Sequence, residues 1–188
     1  FAAFIFVLWR QTVGGGSALP AADVPDPFLG AEAAAVEIVE YGDFGCPACR
    51  AWHNAGIREQ VLQNYGDRVR FVWKDFPVIT RYSPKAAEAA HCAAAQGKFW
   101  AYHDFLYEQT SNIQVDGLKQ AAAALGLDQT AFDQCLDEGQ MAEKVRVNEN
   151  EARRYGFRGT PAFALNGQPL PGPPSYQQLA TRIEQALQ

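Results

Sequence analysis

The chain has 188 residues, of which 48% are hydrophobic and 20% charged, so it has enough apolar material for one globular domain and is not disordered as a whole. Its formal charge of -5 and the lack of any Lys/Arg run exclude a nucleic-acid grip, and no apolar stretch reaches the roughly 20 residues that cross a bilayer as a helix. The chain opens with Phe1–Trp9, nine apolar residues without an initiator methionine, then Gly14-Gly15-Gly16-Ser17 and the prolines Pro20, Pro25 and Pro27. This start reads as cut, and residues 1–31 as the trimmed remnant of a membrane anchor or signal plus a flexible linker; a short helix packed on the domain is the plainer alternative.

From Val36 the punctuation is regular. Val36, Ile38, Val39 and Tyr41 predict a buried strand ending at Gly42, and Cys46-Pro47 opens a helix reaching to about Tyr65. Val69, Phe71 and Trp73 alternate as a second strand. Ser83-Pro84 reads as an N-cap and first turn of an alanine-rich helix that Gly97 ends. Further helices follow at about Phe99–Tyr107, Leu118–Leu125, after Asp128, and Gln140–Tyr155, stopped by Gly126 and Gly156. Phe163 and Leu165 before Asn166-Gly167 predict a strand and hairpin turn, and Ser175 caps a last helix. The order implies an α/β domain over 32–188 with a helical insertion at about 78–156, packed on one face of a small sheet.

The chemistry is expected at Cys46-Pro47-Ala48-Cys49. Zinc is the weaker reading, because structural zinc sites repeat their ligand pairs and only His53, with Cys92 or Cys135, stands by to complete one; no metal is expected. The pair falls between a strand and a helix. Unpaired N–H groups and the positive end of the helix dipole then meet the Cys46 sulfur and favour its thiolate. Cys49 lies one turn inside, away from that field. One sulfur exchanges and the other resolves, which defines a redox dithiol. Glu40, six residues before Cys46 and among buried positions, needs a partner, for which Lys74 at the end of the next strand is the candidate. Glu40 either moves the Cys49 proton during resolution or is one half of a structural ion pair. Thr160-Pro161 opens a strand; a cis proline there exposes Thr160 backbone groups to an extended substrate. His91 and His103 fall in no motif and read as packing residues, and the aromatics between Phe99 and Tyr107 read as core.

Val36-Glu37-Ile38-Val39-Glu40-Tyr41-Gly42-Asp43-Phe44-Gly45-Cys46-Pro47-Ala48-Cys49, with Gly159-Thr160-Pro161-Ala162-Phe163 and Asn166–Gly172, resemble the DsbA-like thiol–disulfide oxidoreductase family. The resemblance runs from about Glu32 to the C-terminus and implies a thioredoxin-like fold (βαβ…ββα) with an inserted all-helical subdomain. It implies Cys46 as nucleophile, Cys49 as resolving cysteine, Pro161 as the cis-proline, Glu40 as the buried acid and Lys74 as its basic partner, with no cofactor beyond the Cys46–Cys49 disulfide itself. It further implies an exported, extracytoplasmic protein; the N-terminal apolar segment adds the expectation of a membrane tether, and a monomer is expected. Its partners are reduced or unfolded exported proteins and a membrane quinone-linked reoxidase of the DsbB or vitamin K epoxide reductase type. The best-known members carry His before the second cysteine. Ala48 stands there in this chain and leaves the thiolate less stabilised, so Pro47 and Ala48 are the tuning positions and the expected potential falls short of the oxidising extreme. In an oxidising compartment Cys92 and Cys135 are expected to bridge, as in family members with a second disulfide; two buried thiols are the alternative. A reductase or isomerase of the same fold, or a non-catalytic peptide-binding module, are the competing functions.

Overall fold

A computed structural model describes residues 21–109 and 112–188, and the expected anchor or signal remnant at 1–9, with its glycine spacer, lies outside the described residues. The described chain builds one sheet from β1 (Phe28–Gly30), β2 (Val36–Gly42), β3 (Val69–Asp75), β4 (Ala162–Leu165) and β5 (Gln168–Pro169), in the order β1-β3-β2-β4-β5. β2 and β3 are parallel, in a register that sets Ile38 opposite Phe71 and Glu40 opposite Trp73. The other pairings are antiparallel. A parallel pair needs a crossover. It is supplied by α1 (Pro47–Asn54) and α2 (Ile57–Tyr65), which replace the single helix expected over this stretch. The break falls at Gly56, which has φ 64° and ample room for a side chain, so its left-handed backbone sets the residue type and ends α1.

Alternation along β2 sorts its residues onto two faces. Val36 and Ile38 join Phe71 and Phe163 under Trp52, Val61 and the last helix, α8 (Tyr176–Ala186), whose Ser175 and Gln178 form a capping box. Val39 and Tyr41 join Val72 and Phe76 on the other face, against Ala152. The helical block comprises α3 (Ser83–Ala94), α4 (Phe99–Glu108), α5 (Val115–Ala124), α6 (Gln129–Asp137) and α7 (Ala142–Arg154), and its core around Tyr102, Leu106, Leu118 and Phe132 runs on to Phe44, Trp73 and the cysteines of the Cys46–Cys49 pair. Cys92 on α3 and Cys135 on α6 form a disulfide across that core.

Two further details differ from expectation. Phe28–Gly30, read as linker, pair with β3 as an edge strand, and the Trp73 N–H donates to Pro27 O at 2.9 Å, so the sheet takes in residues before 32. Ser83 is the first helical residue of α3 rather than its cap. Its hydroxyl turns back to accept from the Thr80 N–H at 3.1 Å, tying down the preceding loop. The hairpin turn is as read: Asn166 and Gly167 have φ 46° and 74°, and Asn166 also bonds the Glu37 backbone in both directions. Among the described residues, no helix is long and apolar enough to cross a membrane.

Candidate active site

The site sits where β2 hands over to α1. Asp43 makes this turn rigid. Its carboxylate accepts from Gly45 N at 2.7 Å and from Ile79 N at 2.8 Å, while its carbonyl accepts from Cys46 N at 3.0 Å and the Tyr107 hydroxyl at 3.1 Å. The turn is thereby fixed to the loop before α3 and to α4. Two glycines allow the close approach: a Cβ on Gly42 would meet the Trp73 ring at 2.1 Å, and one on Gly45 would meet Ser83 Oγ at 2.7 Å.

Cys46 is the N-cap of α1, with Pro47 at the first helical position, and its sulfur accepts from the Cys49 N–H at 3.4 Å. As a thiol it donates to Thr160 O at 3.2 Å. The Thr160–Pro161 bond is cis, and the buried Thr160 hydroxyl has no hydrogen-bond partner in the dithiol form. Both cysteines are free thiols, Cys46 4% exposed and Cys49 wholly buried. Their proton affinities part company. The Cys49 thiol hydrogen bond, working against burial and aided by the backbone N–H groups of Cys49 and Ala48, lowers Cys46 to about 6. Burial first, then its role as donor to Cys46 and the nearby Glu40, pushes Cys49 far above an ordinary thiol.

Glu40 is 3% exposed, and burial raises its carboxyl from 4.5 to about 8, with Arg58 opposing. Lys74 is not its partner. In the register, Trp73 lies beside Glu40 and Lys74 beside Tyr41, so the lysine leaves the sheet on the opposite face. There its Nζ pairs with Glu151 at 2.6 Å and Asp26 at 3.3 Å, in a network that also holds Lys144 and the Tyr41 hydroxyl. The cation on Glu40's side is Arg58, from α2.

Sequence reasoning passed over Asp43, Arg58 and Tyr107. Only Asp43 carried a usable signal, as an acid in a Gly-flanked turn three residues before the N-cap. Trp73 stacks on Phe44 with centroids 5.1 Å apart, and Tyr107 lies 5.3 Å from Phe44, so an aromatic layer backs the dithiol. Phe44, Pro47, Arg50, Thr80, Tyr82 and Ile113 line an open groove of about 700 Å³ beside Cys46, with Ile79 exposed next to Thr80. Of the potential zinc ligands, Cys92 and Cys135 are joined to each other, and His53 faces Asp104 and Glu108 from α1. His53, His103 and Asp104 bring donor atoms within 4.8 Å of one another, but the Arg58 guanidinium already holds the Asp104 oxygen at 3.0 Å.

A cysteine pair capping a helix, opposed by a cis-proline loop at the end of a mixed sheet, defines a dithiol site of the thioredoxin class. A sequence profile described as thioredoxin matches residues 22–185, and the chain belongs to that family. A thioredoxin-like oxidoreductase from Silicibacter pomeroyi superposes with a TM-score of 0.77 at 28% identity, over 89% of this chain and 95% of that one. The thiol-disulfide exchange protein alpha-DsbA2 from Wolbachia pipientis shares the fold, with a TM-score of 0.76 at 18% identity over 87% and 88% of the two chains. A Na(+)/H(+) antiporter, NhaA 3 of Salinispora tropica, is 34% identical over 164 residues, which cover 86% of this chain. The chain spans about a quarter of the length of the curated relatives it matches.

Proposed function

We propose that this domain is an extracytoplasmic thiol–disulfide oxidoreductase that forms disulfides in exported proteins. The observation that carries the reading is the contrast between Cys46, an N-cap sulfur stable as an anion, and Cys49, a buried sulfur that resists ionisation. In the oxidised domain a substrate thiolate attacks Cys46 Sγ. The Cys46–Cys49 bond breaks, and Cys49 leaves and takes up a proton, for which Glu40 is the donor at hand. A second substrate thiolate then attacks the substrate sulfur of the mixed disulfide. Cys46 leaves as a thiolate, the substrate gains its disulfide, and the two electrons stay on the dithiol. Ready departure of Cys46 favours oxidation of the substrate. A membrane quinone-linked reoxidase then returns the dithiol to the disulfide. The groove beside Cys46, apolar and open, suits an extended segment of an unfolded chain, with the Thr160 backbone as its pairing edge.

The antiporter relatives, about four times as long, suggest that the domain is the thiol-exchange part of a longer membrane protein of that kind. Refolding of a reduced substrate by wild type, but not by Cys46→Ser, is the expected result. Equilibration with glutathione is expected to give a potential between about -270 and -120 mV, on the oxidising side of that range. A value at the reducing end would make the domain a reductase. In intact cells, a membrane-impermeant thiol reagent should reach Cys46 from outside; labelling only after lysis would contradict the placement.

A further inference from the structure

The charge facing Glu40 is itself a built structure. Glu40 shares the sheet face of Val36 and Ile38, and Arg58 shares the inner side of α2 with Val61, one turn on. The groups that act on Glu40 are Arg58 and Glu59 from α2 and Cys46 at the start of α1; Glu40 in turn acts on Cys49 from α1 and Tyr107 from α4. Its strand neighbours Trp73 and Phe163 carry no charge. Arg58 is therefore the one cation in this set, and it is 6% exposed. A buried guanidinium cannot shed its charge, so it must be held. Nη2 lies 3.0 Å from Asp104 Oδ1 and 2.5 Å from Glu59 Oε1, and the guanidinium stacks 4.9 Å over Trp100. Asp104 also takes His103 Nδ1 at 2.8 Å, and the imidazole sits edge-on to Trp73 at 4.6 Å and Tyr107 at 4.9 Å. Glu59 comes from the same helix as Arg58, but Asp104 comes from α4, in the helical block. The seat of the cation is thus shared between the two halves of the domain.

We propose that Arg58, seated by Asp104 of the helical block, is a positioning residue that sets the pH range in which Glu40 serves the proton of Cys49. The inference rests on the exchange function above and adds a device to it. Removing the cation leaves Glu59 as the one charge among these groups in the oxidised domain, so Glu40 holds its proton to higher pH. Removing the Asp104 charge, with Glu59 still gripping the guanidinium, leaves Arg58 less compensated and has the opposite effect.

The test follows the Glu40 carboxyl by carbon-13 NMR across pH in the oxidised domain. In parallel, single-turnover reduction by a small dithiol reads the step in which Cys49 departs. Arg58→Gln is expected to move the Glu40 titration and the alkaline limb of the rate profile up, by up to about one pH unit, through loss of the opposing positive charge. Asp104→Asn is expected to move both down by a smaller amount, and neither variant moves the rate profile in a Glu40→Gln background. Opposite signs separate a charge effect from loosening of the fold, which would push both variants the same way. An unmoved carboxyl, shifts of one sign, or shifts that persist without Glu40 would overturn the proposal. Should Arg58→Gln fail to fold, the direction given by Asp104→Asn decides. Absence of exchange in the wild type would defeat the function above, while the carboxyl titration would still judge Arg58.

Discussion

Two sulfurs three residues apart differ because one caps a helix and the other is sealed inside it. Their spacing and the following proline were enough to read this contrast from the chain, since helix geometry alone puts position 46 outside the first turn and position 49 within it. The buried acid was legible as well, but its counterion was not. Lys74 is close to Glu40 along the sheet, yet strand alternation sends it to the other face, and the true cation arrives from a helix whose approach no local pattern announces. Glu40 also carries a stability consequence. Folded, it keeps its proton to about 8; unfolded, it loses it near 4.5. Between those values the folded state binds more protons, so this residue's contribution to stability falls as pH rises. Glu40→Leu is expected to remove that fall and to be the more stable form at its upper end, where the wild type carries a desolvated carboxylate. Urea denaturation of the oxidised protein at pH 5 and pH 8 reads both; an unchanged pH slope in the variant would contradict the assignment.

At the level of elements, glycine stops and caps drew the helical block well, because Gly97, Gly126 and Gly156 all end helices through left-handed backbone. Two of the misreadings have plain local causes. A single glycine splits the crossover into α1 and α2 without interrupting the apolar pattern, and β1 is too short to show a period of its own. The active-site turn depends on space more than on pattern. Trp73 lies over Gly42, stacks on Phe44 and donates its indole N–H to Asp75 at 3.0 Å. Gly42→Ala is therefore expected to displace the indole and cost about 1–3 kcal/mol by overpacking, with a change in tryptophan fluorescence. An unshifted urea midpoint and spectrum would show that the ring yields without cost.

Over the whole molecule, a small sheet carries the chemistry and a helical block is fastened to it through a core that reaches the dithiol. Some fastenings were visible in the chain and others were not. The cysteines of the block invited pairing by compartment, and the Cys92–Cys135 disulfide closes 43 residues of chain. Replacing both by alanine is expected to cost about 4 kcal/mol, chiefly through a freer unfolded state. The Asp75–His91 pair at 2.6 Å, with Asn148 at 3.2 Å, joins β3 to α3 and α7 deep inside and left no mark in the sequence. Thermal or urea unfolding of the double alanine variant, compared with wild type under oxidising conditions, checks the figure; equal stability would mean the bridge constrains nothing that the packing does not.

The claim on which the function turns is the acidity of one thiol, and the thiolate absorbance of the reduced domain near 240 nm measures it directly when followed across pH. A single step with a midpoint near 6, lost in Cys46→Ser and kept in Cys49→Ser, is the result expected of the N-cap sulfur. A midpoint near 8.5, the value of an unperturbed cysteine, would contradict it.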